Sequence, residues 1–405
     1  MIERWMKQPL VELMGVRRGV NLTGARQAGK TTLAAAMDFA SVRHYTLDDR
    51  TMRQAAERDP TGFVKRAEGE TLVIDEVQKV PDLLDAIKVA VDGDDARSQY
   101  LLTGSSNIRF AKAVRDSLAG RLGRVRLRTL SLGEINGNPP TFLEEAFGHS
   151  FRSQYPDMDK RCVIHAGFLG GYPEPRGFTD RHRRDWFRTY LDDILQKDIR
   201  DVTEIRKLSV LRQVATWLLA RTAQFFTMEE LAAKTGIAKV TASTYLDALE
   251  ALYLFDKVPA WAKSDYELVG KRPKWVATDS GLVANILGWK EEDAYFDASK
   301  DGKFIETWAY QQLAALADAD GGCIIWHYRD GKKREIDYLV ERDNGDLLGV
   351  EVKAGAVSRG DFNHLEWFSA HLAPASFTGI VLYSGKDVLP FGEGLYAVPL
   401  SALRA

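Results

Sequence analysis

The sequence predicts an α/β protein with a parallel sheet near its N-terminus, a helical middle and a second α/β unit at its C-terminus. The 405 residues exceed the usual size of one hydrophobic core, which indicates two or three domains. In the first third, apolar runs such as TLVIDEV alternate with helical patterns, as strands and helices do around a parallel sheet. After about Trp289 a helical pattern, two or three strands and another helix follow.

Domain boundaries are placed where this pattern changes. A segment over about 132–155 contains Pro, Gly and Asn and shows little periodicity. We therefore expect four parts: a first α/β domain over 1–135, a helical linker or lid over 136–205, a winged-helix-like domain over 206–290 and a C-terminal α/β domain over 291–405.

Composition limits the class of protein. The net charge is −2, so a nucleic-acid surface would have to come from local clusters of basic residues. The two cysteines, Cys162 and Cys323, lie far apart, which disfavours a disulfide scaffold or a zinc site and fits a reducing compartment. The N-terminus carries no apolar signal region and no uncharged run is long enough to cross a bilayer, so we predict a cytoplasmic protein without a membrane partner.

The segment GARQAGKT has the spacing of a phosphate-binding loop, between an apolar strand and a helix. Glycines let backbone N–H groups face the phosphates of ATP, while Lys30 would reach the β and γ oxygens as a catalytic residue and the Thr31 hydroxyl would bind Mg²⁺. A chance match is the alternative. The predicted nucleotide contacts are Gly24, Ala25, Arg26, Gln27, Ala28, Gly29, Lys30, Thr31 and Thr32.

A second apolar strand ends in Asp75 and Glu76, about 45 residues after the loop. In this context we predict that Asp75 holds the Mg²⁺ shell and that Glu76 orients or deprotonates the attacking water. The next strand, YLLTGSSN, carries Ser105 at its end, which would either sense the γ-phosphate or simply begin a loop.

Arg121 lies within a basic segment between Arg109 and Arg128. Three uses stay open for it: an arginine finger or phosphate sensor in catalysis, a contact with a nucleic-acid backbone, or a solvated basic face. A finger acting across a subunit boundary would require an oligomer.

Taken in order, LTGARQAGKTTLA, YTLDD, LVIDEVQKVPDLLDAIK, LLTGSSN, LAGR and GGYPEP resemble a large family of prokaryotic AAA-type ATPases. Members carry a C-terminal domain labelled as domain of unknown function 4143. The resemblance covers nearly the whole chain and implies an ATP-dependent P-loop AAA core that often forms homo-oligomeric rings. It does not imply a defined biological role.

In the middle of the chain, TMEELAAKTGIAKVTASTYLDALEALYLFDKV predicts two helices around Gly236, followed by a strand. This order is typical of a winged helix. The second helix begins with Lys239 and several hydroxyls but also carries acidic residues. It would either read DNA in the major groove or serve as a lid or spacer.

The C-terminal part contains EIDYLVERDNGDLLGVEVKAG, which predicts two strands joined by a turn. Asp337 stands in the first strand, Glu351 and Lys353 share one face of the second, and Glu306 lies in the preceding helix. Converging carboxylates are ligands for Mg²⁺ or Mn²⁺. A metal-bound water could then attack a phosphodiester, with Lys353 as a catalytic residue that stabilises the developing charge.

The order Glu306, Asp337, Glu351, Lys353 resembles that of the PD-(D/E)XK nuclease superfamily over 302–371 and implies a restriction-endonuclease-like fold. The proline that often precedes the Asp is absent, since Ile336 stands there. Either the three carboxylates hold a metal and the domain cleaves DNA, or the domain keeps the fold as an interaction module. A basic cluster of Arg329, Lys332, Lys333 and Arg334 would suit a phosphate backbone or merely a charged turn.

Together these features predict an ATP- and Mg²⁺-dependent AAA-type ATPase coupled to a nuclease-like domain that cleaves or remodels branched or single-stranded DNA. The alternative is an ATP-driven switch or scaffold whose C-terminal domain binds a protein or nucleic acid without cutting it.

Overall fold

A computed structural model provides the fold. The residues it describes are 2–39, 41–65, 69–93, 97, 99–104, 120–199, 207–264, 270–374 and 376–404. None of the helices in these ranges combines the length and apolarity that a bilayer crossing requires.

The N-terminal domain is built on a five-stranded parallel sheet. Its strands are β1 (Gly19–Thr23), β2 (Val42–Thr46), β3 (Thr71–Asp75), β4 (Tyr100–Thr103) and β5 (Leu122–Arg126). Their order is β2-β3-β4-β1-β5, and every pairing is parallel. The carboxyl ends of β1, β3 and β4 therefore meet at one edge of the sheet, where ligands bind in open α/β sheets. This confirms the predicted α/β core.

Both faces of this sheet are covered. The helices are α1 (Lys7–Val16), α2 (Lys30–Ala35), α3 (Arg50–Arg58), α4 (Pro60–Lys65) and α5 (Asp82–Gly93). Within β3, Leu72 and Ile74 pack into a core with α5, whereas Val73 packs into a second core with α1. This double burial explains why β3 is a continuous apolar run and not an alternating one.

The helical middle contains α6 (Leu132–Asn136), α7 (Phe142–Phe147), α8 (Lys160–Leu169), α9 (Asp180–Asp193), α10 (Leu208–Ala220), α11 (Met228–Thr235) and α12 (Lys239–Ala251). The antiparallel pair β6 (Phe255–Val258) and β7 (Lys274–Ala277) and helix α13 (Ser280–Leu287) follow. A capping box of Thr227 and Glu230 begins α11, and Gly236, with a φ of 68°, ends it. This is the element order expected of a winged helix, and that assignment stays a prediction.

The C-terminal part contains α14 (Glu291–Phe296), α15 (Ala298–Asp320), β8 (Cys323–Arg329), β9 (Glu335–Arg342), β10 (Leu347–Val352), α16 (Asn363–His371), β11 (Phe377–Tyr383), β12 (Leu389–Gly392) and β13 (Leu395–Pro399). The sheet order is β12-β13-β11-β10-β9-β8. It is a mixed sheet, because β9 pairs antiparallel with β8 and β10, while β11 pairs parallel with β10 and β13.

One hydrophobic core joins the middle of the chain to the C-terminal part. Its fully buried members come from α7, α9, α10, α12, α15 and β10 and include Phe142, Phe187, Leu218, Leu249, Leu313 and Val350. Helix α15 is central because every residue from Phe304 to Ala317 except Glu306 is buried. The predicted boundaries near 205 and 290 therefore do not separate independent cores.

Candidate functional site

The loop after β1 has the backbone shape that phosphate binding needs. Gly24 has a φ of +143°, and a Cβ atom there would lie 2.1 Å from the carbonyl oxygen of Leu127. Gly29 has a φ of +101° and is the residue before α2. Only glycine meets both conditions at Gly24, so the chain can turn tightly and direct N–H groups toward a ligand.

The side chain of Lys30 lies inside this loop. Its Nζ donates hydrogen bonds to the carbonyl oxygens of Gly24 and Ala25, both at 2.9 Å, and the residue is buried. Two carbonyl dipoles thus position the ammonium group within the loop. Phosphate oxygens would compete with these carbonyls for the same N–H donors.

Thr31 and Asp75 meet at the carboxyl edge of the sheet, as predicted from sequence. The Thr31 hydroxyl donates to Oδ2 of Asp75 at 2.9 Å. Hydroxyl and carboxylate oxygens are the donors that Mg²⁺ accepts, and a spacing of about 3 Å suits neighbouring positions of an octahedral shell with bonds of about 2.1 Å. The residues present therefore fit a magnesium ion.

The second oxygen of Asp75, Oδ1, accepts a hydrogen bond from the hydroxyl of Thr103 at the end of β4. Sequence reasoning selected Ser105 in this strand end instead, and Ser105 lies outside the described residues. The available signal was the parallel alignment of β3 and β4, because their ends must meet at one edge. Thr103 is fully buried, so it fixes the orientation of the carboxylate.

Glu76 follows Asp75 in a left-handed conformation with a φ of 58°. Its Oε2 accepts a hydrogen bond from Nε2 of Gln78. Non-glycine residues in this conformation are strained and concentrate at functional sites. The turn places Glu76 at the sheet edge directly after Asp75, as its predicted role with water requires.

Arg121 is engaged elsewhere in this conformation. Its Nε donates to Oδ1 of Asp92, which is the penultimate residue of α5, at 2.5 Å. A catalytic role for Arg121 would require this ion pair to open, and solvent screening makes such an exposed pair weak.

A cavity of about 390 Å³ adjoins the phosphate loop. Gly29 and Thr32 form its wall toward the loop, and the remaining lining is largely apolar. Its lining residues from outside the loop include Ile2, Leu33, Ala36, Leu130 and Pro173. An apolar cavity of this size suits a purine base. Sequence reasoning missed this set, because Ile2, Leu130 and Pro173 are brought together only by folding.

Arg4 joins the loop to the chain that leaves the sheet. Its Nη1 donates to the Ala28 carbonyl oxygen at 2.8 Å, and its Nη2 donates to the Arg128 carbonyl oxygen at 2.6 Å. Its Nε pairs with Glu134 at 3.0 Å. A second link comes from α9, where the Tyr190 hydroxyl donates to the Arg26 carbonyl oxygen at 3.1 Å.

Ion pairs of Arg126 and Arg128 connect the end of the N-terminal sheet to β6 and α15. Arg126 and Arg128 both bind Asp256 of β6, at 2.8 and 2.6 Å, and Arg128 also binds Asp318 of α15 at 2.6 Å. Burial alone would raise the pKa of Asp256, but the charges of Arg126 and Arg128 outweigh it and hold that pKa well below its ordinary value. The Tyr310 hydroxyl donates to the same carboxylate at 2.8 Å.

In the C-terminal sheet, the structure brings the predicted carboxylates together. The antiparallel register pairs Tyr338 with Val350, and continuing it by one residue places Asp337 opposite Glu351 on the same face. The Val352 N–H donates to Oδ2 of Asp337 at 2.9 Å. Burial and the neighbouring charge of Asp337 raise the pKa of Glu306 to about 8 and that of Glu351 well above its ordinary value.

A lysine that sequence reasoning missed lies among these carboxylates. The Nζ of Lys274, from β7, is 2.7 Å from Oε1 of Glu306, 3.5 Å from Oδ1 of Asp337 and 3.4 Å from Oε1 of Glu335. The predicted lysine, Lys353, pairs with Asp361 at 3.5 Å. Because a protein cation lies between the carboxylates, this arrangement does not fit a divalent metal. Within the described residues, no group of His, Cys, Asp and Glu has metal-holding geometry.

Comparison with protein families matches three segments. An AAA domain matches residues 16–136, and two domains of unknown function match residues 163–293 (DUF8612) and 301–403 (DUF4143). The match and the loop geometry identify the N-terminal unit as an AAA-type ATPase domain, for which ATP is the implied ligand. The nuclease-like and winged-helix assignments are not shown by these matches.

Similar proteins extend over most of the chain. Uncharacterized protein Rv2008c of Mycobacterium tuberculosis and uncharacterized protein Mb2031c of Mycobacterium bovis are each 28% identical over 392 residues, which cover 94% of this chain and 79% of theirs. Among solved structures, the Walker-type ATPase PABY2304 of Pyrococcus abyssi has a TM-score of 0.40 at 13% identity, covering 70% of this chain and 95% of that one. A RuvB variant of Thermotoga maritima has a TM-score of 0.29 at 16% identity, covering 63% and 89%.

Proposed function

We propose that the protein hydrolyses ATP at the loop after β1 and uses the nucleotide state to alter its C-terminal part, as an ATP-driven switch. The observation that carries the proposal is the joint placement of Lys30, Thr31 and Asp75 at one edge of a parallel sheet. These are the groups that position a triphosphate and its magnesium ion.

Each group has a defined task in hydrolysis. Loop N–H groups and Lys30 would bind the phosphates, and Thr31 and Asp75 would hold Mg²⁺, which when bound neutralises charge on the β and γ phosphates. Glu76 would orient the attacking water. The cavity beside Gly29 would take the base, because its lining is largely apolar and adjoins the loop.

A steady-state assay of ATP hydrolysis tests this proposal. We expect Mg²⁺-dependent turnover by the wild type and a loss of about a hundredfold or more in Lys30→Ala and Glu76→Gln. Glu76→Gln should still bind a fluorescent ATP analogue, whereas Lys30→Ala should bind it weakly. Unchanged hydrolysis by Lys30→Ala would remove the proposed site.

The route from the ATPase domain to the C-terminal part runs through buried and partly buried contacts. Arg4 binds both the loop carbonyl of Ala28 and the Arg128 carbonyl, while the Arg128 side chain binds Asp256 and Asp318. A shift of the loop on nucleotide binding would move Arg4 and Arg128 together. The coupled elements would be β6, its partner β7, and α15.

The partner of the C-terminal part is proposed to be a DNA backbone. Lys332 and Lys333 are exposed in the turn between β8 and β9, next to the partly buried Arg329 and Arg334. Such clusters bind phosphates with a marked salt dependence. The helix α12 offers less, because Lys239 pairs with Glu229. Cleavage by a metal at the C-terminal carboxylates is not proposed, because Lys274 lies among them. A ring assembly and the trans role of Arg121 stay predictions.

Fluorescence anisotropy with a labelled single strand and a branched duplex tests this partner. Lys332→Glu/Lys333→Glu should weaken binding and flatten its salt dependence, while Lys65→Glu/Lys207→Glu, with the same change of charge at exposed positions, should leave both unchanged. Equal losses in the two double variants would show that only net charge matters, and no binding by the wild type would refute a DNA partner.

A further inference from the structure

We infer that Lys274 is a built-in cation of the C-terminal carboxylate cluster, where its ammonium group takes the place of a divalent metal and keeps the cluster closed to one. The cluster is defined here as Glu306, Glu335, Asp337 and Glu351. This inference does not depend on the ATPase proposal, since it concerns a different site and uses a nucleotide-free readout.

The position of the ammonium group is the first argument. It lies 2.7 Å from Glu306 and 3.5 Å from Asp337, and it also contacts the Asp337 carbonyl oxygen at 3.4 Å. A metal held by the first two carboxylates would have to lie between the same oxygens, at about 2.1 Å from each. The ion and the ammonium group cannot occupy that space together.

The enclosure of Lys274 is the second argument. Its side chain has 0% exposure, and a buried charge is stable only when it is paired. On its other sides lie aromatic rings, with Nζ 5.4 Å from the ring centre of Phe225 and 5.2 Å from that of Tyr338. Carboxylates and aromatic faces together form a cage for a monovalent cation.

The third argument is that the cluster keeps a carboxylate oxygen that forms no hydrogen bond to the lysine. Oδ2 of Asp337 is occupied by the Val352 N–H. Oε1 of Glu351 is buried and makes no hydrogen bond to any described residue, and its neighbour Nδ1 of His364 lies 4.0 Å away. An oxygen in this state is an available ligand, so the cluster keeps the donors for a metal but lacks the space while Lys274 is present.

Replacement of the lysine should therefore create a metal site. Lys274→Met keeps the length of the side chain but removes its charge, so the cluster is left with uncompensated carboxylates. A divalent ion then gains their full attraction and can be reached by Glu306, Asp337 and Glu351. The matched control is Lys353→Met, because Lys353 lies nearby but pairs with Asp361.

The test is a Mn²⁺ titration of full-length, nucleotide-free protein, followed by electron paramagnetic resonance of free Mn²⁺. We expect Lys274→Met to bind one additional Mn²⁺ per chain, at least about tenfold more tightly than any Asp337-dependent site of the wild type. Adding Asp337→Asn should remove that ion. Wild type and Lys353→Met should show no Mn²⁺ binding that Asp337→Asn abolishes.

Two results would overturn the inference: stoichiometric, Asp337-dependent Mn²⁺ binding by the wild type, or a folded Lys274→Met variant that gains no Mn²⁺. If Lys274→Met does not fold, the wild type decides. Its Lys274 ammonium protons should exchange slowly in nitrogen-15 spectra and keep their signal when Mn²⁺ is added. If Mn²⁺ broadens this signal in the wild type but not in Asp337→Asn, the metal binds in the cluster and the inference is refuted.

Discussion

Arg128 and Asp256 connect the ATPase domain to the strand pair that follows α12: Nη1 of Arg128 lies 2.6 Å from Oδ2 of Asp256. Arg128 also binds Asp318 of α15, and its carbonyl oxygen accepts from Arg4, which reaches the phosphate loop. Asp256 lies in β6, and Lys274 begins the partner strand β7. The two candidate sites of the molecule are thus joined by a short series of buried and partly buried polar contacts and by the pairing of β6 with β7.

Thr103 is expected to support ATP hydrolysis by holding Asp75. Thr103→Val keeps the volume but removes the hydroxyl that donates to Oδ1 of Asp75. A hydrogen bond to a charged group contributes about 1.5–3 kcal/mol, so we expect kcat to fall roughly tenfold or more. Thr71→Val, at the opposite end of β3, should retain activity. Equal kcat values for Thr103→Val and the wild type would contradict this role.

The cavity beside the loop is expected to determine ATP affinity. Ala36→Trp would fill it from the end of α2 and should weaken binding of ATP by about tenfold or more, because the indole and the base compete for one space. The control is Ala35→Trp, an exposed position of the same helix that does not line the cavity. Calorimetric titration compares the two, and similar affinities would argue against a base in this cavity.

Asp256 is expected to make stability depend on acid pH. Its pKa is depressed in the folded protein because the charges of Arg126 and Arg128 outweigh the effect of burial. The ion pair therefore stabilises the folded protein at pH values above about 3.9, which is the pKa of an aspartate in the unfolded chain. That stabilisation is lost as the pH falls from there toward the lower pKa of the folded state. The difference in urea midpoint between wild type and Asp256→Asn should therefore stay constant from about pH 7 to pH 5 and shrink as the pH falls below about 4. A difference that does not shrink below about pH 4 would contradict the ion-pair account.

Lys274 is expected to be a major stabilising residue when no metal is present. Removal of one partner of a buried charge set typically costs about 3–5 kcal/mol. The high pKa of Glu306, about 8, lessens this cost by allowing that carboxyl to take up a proton. In EDTA, Lys274→Met should unfold at lower urea than Lys353→Met. A variant as stable as the wild type would show that the carboxylates do not need this cation.

The ATPase half could be predicted closely because its signals are local. The strand before the loop, the spacing of Gly24, Lys30 and Thr31, and the apolar run ending at Asp75 each follow from neighbouring residues. The side chains missed there, Thr103 and the cavity lining, depend on which strand ends and loops become neighbours. A sheet order of β2-β3-β4-β1-β5 cannot be obtained from periodicity alone.

The C-terminal site depends more on contacts between residues that are distant in the chain. The sequence predicted that Asp337 and Glu351 share one face of adjacent strands, and the strand register is compatible with that placement. Glu306 and Asp337 each contact Lys274. The sequence pattern assigned the lysine role to Lys353, whose spacing from Glu351 made it the obvious choice. The lysine that fills the cluster stands 63 residues before Asp337 and belongs to a different predicted domain. Only the shared core brings β7 against the C-terminal sheet.

Hydrogen exchange measured by mass spectrometry gives the most direct test of the switch. The Glu76→Gln variant should bind ATP without hydrolysing it. We expect addition of ATP to this variant to change the rate of amide hydrogen exchange in β7 and β9, which lie far along the chain from the loop. In Glu76→Gln/Asp256→Asn, ATP should still protect the loop but leave β7 and β9 unchanged. ATP binding without any change in those strands, or the same change in both variants, would contradict the proposed route through Arg128 and Asp256.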